Sequence, residues 1–169
     1  MITKKDIVAA GFFQQYLGLV DGDDVVKALK KSGKAFRKLL KEIPKKKIDF
    51  AYGPGKWSIK ELVQHVIDAE RVFSYRALSF ARKDPTPLPG FEEKDWAANS
   101  QIVNRKWNDL CKEFETVRKS TELLFESFKS DQLLATGIAS NQSINVLAFG
   151  FICSGHVIHH INIIKERYL

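Results

Sequence analysis

The stretch Ile144–Ile164, INVLAFGFICSGHVIHHINII, carries no Asp, Glu, Lys or Arg, and it constrains this chain more than any other segment. A helix of that composition has no polar face to offer water, so it must be covered on two sides. Its length approaches the roughly 20 apolar residues that cross a bilayer. Asn145, Ser154, His156, His159, His160 and Asn162 weigh against a membrane span, since such groups are costly in hydrocarbon. Three amphipathic segments elsewhere also need an apolar partner. The run is therefore expected as the buried helix of a bundle. One side would face the bundle and the other a partner subunit or the N-terminal lead-in. A homodimer through this helix is expected on that ground.

The rest of the chain supplies those partners. Residues 1–20 hold short apolar pieces and read as a lead-in helix packed on the bundle. Asp21 is expected to cap a first long helix in which Val25, Leu29, Ser32, Phe36, Leu39 and Ile43 recur at helical spacing until Pro44 ends it. Gly53, Pro54 and Gly55 mark a loop. Ser58 and Glu61 then form a capping box, and the second helix runs to about Arg82. Its stripe is Leu62, His65, Ala69, Val72, Arg76 and Phe80, with the small Ala69 leaving room beside His65. A crossover follows over 83–98, with Pro85, Pro87, Pro89 and Gly90. The third helix is expected from Ser100 or Gln101 to Phe128, a 3.6-residue period through Val103, Trp107, Leu110, Phe114, Val117, Thr121 and Leu124. A polar connection over 130–142 leads to Ser143, the expected cap of the fourth helix. No strand-like alternation is evident. The fold class is all-α: a four-helix bundle with long crossover connections, one domain over residues 1–169.

Charge and cysteines narrow the setting. The 27 Lys and Arg exceed the 20 Asp and Glu, a formal charge of +7, but the cations are interspersed with acids along helix faces. A solvated surface accounts for them, and nucleic acid is not expected as a partner. Cys111 and Cys153 lack metal-type spacing and read as buried thiols of a reducing, cytoplasmic compartment. Lys4 and Lys5 precede an apolar patch, but Asp6, Gln14 and Gln15 break it, and no targeting segment is expected.

The histidines carry the chemistry. His156 and His160, four apart, can present two imidazoles to one metal; His159, three after His156, could substitute, and spacing alone does not decide between them. His65 on the inner face of the second helix supplies a third donor. Three neutral imidazoles suit zinc, nickel, iron or manganese and leave open positions, an arrangement of catalytic rather than structural sites. Glu61 and Asp68 are candidates to orient His65 from behind. Arg76 could grip a substrate carboxylate, with Trp57 and Trp96 as candidate pocket walls.

The segments Pro54–Arg82 and Leu147–Leu169 resemble the DinB-like superfamily of bacterial four-helix bundles. That family places one histidine on its second helix and an H-x-x-x-H pair on its fourth. The match falls on His65, His156 and His160, leaving His159 as an extra member. The resemblance implies a divalent metal, usually nickel or zinc, often in a homodimer. It also implies transfer of a small-molecule thiol, such as bacillithiol, mycothiol or glutathione, to an electrophile. Metal-dependent hydrolysis is the alternative activity. A non-catalytic dimeric bundle that binds a small ligand or protein partner is the alternative outside enzymes.

Overall fold

In the computed structural model, which describes residues 2–169, helices dominate. They are α1 (Gln14–Leu17), α2 (Val25–Glu42), α3 (Ile59–Ala81), α4 (Glu93–Asn99), α5 (Trp107–Glu126) and α6 (Ser130–Leu134). A hairpin of β1 (Thr136–Ala139) and β2 (Gln142–Asn145) precedes the last helix, α7 (Val146–Arg167). The long helices α2, α3, α5 and α7 form the expected four-helix bundle. In it α7 packs on α2 and α3, and α5 packs on the same two.

The expected stripe of α2 is buried at every named position, from Val25 to Ile43. Its cap is Asp24, not Asp21: the Asp24 carboxylate accepts from the amides of Val26 and Lys27, both at 3.0 Å. Ile43 is extended because a residue before proline avoids the helical region. Ser58 and Glu61 cap α3 reciprocally, as the sequence pattern requires.

Three boundaries differ from expectation. The third long helix starts at Trp107 rather than near Ser100, since Gln101 takes a left-handed backbone (φ 49°) that breaks the run. Val103, assigned to the stripe, is 85% exposed on a 3-10 turn. The fourth helix is capped by Asn145, whose side chain accepts from the Ala148 amide, and Ser143 lies in β2. The connection before it holds a β-hairpin. Ser140 and Asn141 both have positive φ, the conformation of a two-residue primed turn that fits strand twist. Strands of four residues are too short for alternation to reveal.

The outer side of α7 is covered by the chain's own N-terminus. Val8 and Asn145 exchange hydrogen bonds, Asn145 also donates to Asp6, and α1 packs along α7. A Cβ on Gly155 would stand 2.1 Å from the Tyr16 carbonyl oxygen, so this close approach needs glycine. Two apolar clusters fill the bundle, and a polar layer divides them. There Arg118 of α5, fully buried, grips Glu70 of α3 with two bonds of 2.7 Å and also donates to Leu29, Ser32 and Cys153. This ties all four long helices together. Glu70 is the buried counter-ion.

Candidate metal centre

The histidines lie at the seam between the two apolar clusters. α3 brings in His65 and α7 brings in His156 and His160, all three buried. His156 Nε2 is 3.0 Å from His65 Nε2 and 3.0 Å from His160 Nε2. The three ligand nitrogens lie within 4.8 Å of one another.

Burial holds His65 well below histidine's ordinary range, at about 4, and also pushes His156 and His160 well below that range, with the charge of His160 and His65 adding to the effect on His156 and that of His65 and His159 on His160. All three are neutral at pH 7, the form that binds metals. A neutral ring nitrogen is either a donor or an acceptor with one lone pair. One proton can therefore satisfy only one of the two contacts at His156 Nε2, whereas a cation at the point of convergence satisfies all three nitrogens. The donor set fits a first-row divalent ion. His160 Nδ1 is buried without a hydrogen-bond partner among the described residues, so packing against His156 and His159 orients this ring.

Aromatic side chains wall the centre. The Trp57 ring lies 4.8 Å from the His65 ring, and Tyr16 meets His156 edge-on at 5.4 Å. Burial raises the Tyr16 phenol pKa, and the charge of Glu93 adds to the rise. Glu93 Oε2 approaches His65 Nε2 to 3.6 Å. A cavity of about 410 Å³ opens beside His159 and His160, lined in part by Tyr52, Lys56, Trp57, Glu93, Lys94 and Tyr168.

The other candidates fall elsewhere. His159 is half-buried, meets Tyr16 at 5.5 Å and stands outside the converging trio. Glu61 is occupied by its cap, accepting from the Ser58 amide and hydroxyl. Asp68 accepts from Gln64 at 2.8 Å and lies near Arg71 rather than behind His65. Arg76 is buried and donates to the Pro89 carbonyl at 2.6 Å and the Ser140 hydroxyl at 3.2 Å. Trp57 reaches the site, but Trp96 packs on Phe91 and is 45% exposed. Tyr16 and Glu93 were not legible in the sequence, because each lies in a helix too short to show a period linking it to the histidines.

A bundle of four long helices with a buried three-histidine cluster at one seam defines the class of protein. The DinB superfamily family model matches residues 28–164, and the chain belongs to that superfamily. Curated relatives from Bacillus cereus (strain 03BB102) and Bacillus anthracis (strain A0248) share 36% identity over 61 residues. Those matches span 36% of this chain and only about a third (35%) of each relative; both relatives bear the name "Putative metal-dependent hydrolase". The fold matches YfiT from Bacillus subtilis with a TM-score of 0.72 at 15% identity, covering 84% of this chain and 82% of that one. YfiT is described as "a probable metal-dependent hydrolase with an unusual four-helix bundle topology".

Proposed function

We propose that this chain is a metal-dependent enzyme whose divalent ion is held by His65, His156 and His160. The observation that carries the reading is the convergence of three buried, neutral imidazole nitrogens within 4.8 Å. The names of the Bacillus relatives and of YfiT support it. Nickel or zinc is the expected ion, with iron or manganese as alternatives that the same donors accept. When bound, such an ion supplies Lewis acidity that lowers the pKa of a thiol or water reaching it.

The chain's own residues suit an external nucleophile. Burial keeps both thiols protonated, Cys111 pushed up to about 11 and Cys153 well above its ordinary value, so neither serves as nucleophile at neutral pH. The imidazoles are already deprotonated and fixed on two packed helices. Trp57 and Phe73 keep water from their flanks. Lys56 and Lys94 line the cavity beside His160, together with the rings of Tyr52 and Tyr168. A small thiol bearing a carboxylate matches that lining, and transfer of such a thiol to an electrophile is the activity we favour. Hydrolysis is the second reading, favoured by the relatives' names.

Nickel- and zinc-loaded protein, incubated with glutathione or bacillithiol and monobromobimane, should consume thiol faster than chelator-treated protein. Metal-dependent release of p-nitrophenol from ester substrates without thiol consumption would select hydrolysis. Neither activity from fully loaded protein would point to a ligand-binding bundle instead.

A further inference from the structure

We infer that Glu93 is a fourth donor of the centre, a carboxylate delivered to the three histidines by the crossover between the second and third long helices. The inference rests on the proposed metal site and adds to it a residue from a different part of the chain.

Distance is the first argument. Two donors bound about 2.1 Å from one ion lie about 3.0 Å apart at a right angle and about 3.4 Å apart at the tetrahedral angle. The two contacts of His156 are 3.0 Å, and Glu93 Oε2 is 3.6 Å from His65 Nε2. Glu93 stands outside the group of donors that lie within 4.8 Å of one another, so its half-exposed side chain would swing from His65 towards His156 and His160 to enter the coordination shell. Charge is the second argument. Among the ion pairs of the described residues Glu93 has no Lys or Arg partner; its one close charged or titratable contact there is His65, a neutral imidazole inside a ring of aromatic walls. In a chain with a formal charge of +7, an acid set beside one of three bare nitrogens, and beside no Lys or Arg, is explained by a cation that all four would share.

The third argument is how the residue is held. Glu93 opens α4, midway along a strap that is pinned at both ends. Upstream, Arg76 donates to the Pro89 carbonyl, and the strap pairs with the hairpin through Leu88 N–H to Ile138 O (2.9 Å) and Ser140 N–H to Leu88 O (3.0 Å). Downstream, Arg105 donates to Gln64 of α3 at 2.7 Å and pairs with Glu113 of α5. Arg76 thus acts at a distance, by fixing the strap. Glu93 is itself half exposed and lines the cavity together with Lys94 and His160. The centre therefore combines three imidazoles with one carboxylate of adjustable reach.

The test compares wild type with Glu93→Gln and Glu93→Asp, each checked for unchanged circular dichroism and melting as metal-free protein. Zinc affinity is read by competition with a chromophoric chelator, and coordination by the visible absorption of the cobalt(II)-loaded protein. Glu93→Gln should weaken zinc binding about tenfold to a hundredfold and shift the cobalt bands, with Glu93→Asp intermediate. Wild-type affinity and an unchanged cobalt spectrum in Glu93→Gln would overturn the inference while leaving the three-histidine site standing. Folded wild-type protein that takes up neither zinc nor cobalt would overturn both.

Discussion

At the scale of residues, the centre depends on keeping imidazoles neutral. Burial depresses the His65 pKa to about 4, whereas an unfolded histidine titrates near 6.5. Between those values the unfolded chain binds the extra proton, so stability is greatest above pH 6.5 and is lost as pH falls towards 4. His65 alone accounts for about 3 kcal/mol of that loss, and His156 and His160 shift in the same direction. Urea unfolding of metal-free protein should show stability dropping over this window, with a flatter profile in His65→Gln. A His65→Gln profile as steep as wild type would show that His65 does not enter the folded state neutral. The choice between His159 and His160 belongs to this scale as well. Spacing left both available, and the structure brings His160 to His156 while His159 meets Tyr16.

At the scale of elements, the lead-in and α7 meet through a glycine. Replacing Gly155 by alanine gains helix propensity of up to about 1 kcal/mol. The new Cβ, however, would fall 2.1 Å from a backbone oxygen of Tyr16, which cannot swing aside as a side chain can. The clash should win, with a net loss of about 1–3 kcal/mol in urea unfolding and faster amide exchange at residues 13–17. Unchanged stability and exchange would mean that the lead-in does not dock there. Elements with long periods were legible in the sequence: the stripe of α2, the Ser58–Glu61 box of α3 and the all-round apolar α7 stand where patterning places them. The hairpin, α4 and the true caps Asp24 and Asn145 were not. They depend on turn geometry and on contacts between segments far apart in sequence, such as Asn145 with Val8. The site divides the same way. The histidines announce themselves by residue type on recognisable helices, whereas Tyr16 and Glu93 reach the centre through tertiary packing alone.

At the scale of the whole molecule, one apolar helix organises the bundle. α7 is long and apolar enough to cross a membrane by composition, yet 78% of its most apolar window is buried inside the chain's own fold. The lead-in takes the outer place for which a partner subunit was the other candidate. The proposed homodimer through this helix would have to use its later turns, where Ile158, His159 and Ile163 are half-buried and Asn162 is exposed. Light scattering should then give twice the protomer mass at high concentration; one protomer mass throughout would remove the dimer. The polar layer of Arg118, Glu70 and Ser32 crosses the same seam as the histidines, and the charge of Arg118 helps to disfavour protonated His156. Structure and site chemistry thus share one cross-section of the bundle, and the metal is the claim on which the functional account turns. Elemental analysis of purified protein tests it most directly. The account predicts one divalent ion, nickel or zinc, per chain in wild type and none in a His65→Ala, His156→Ala double variant. A folded double variant that retains a full equivalent of metal would contradict it.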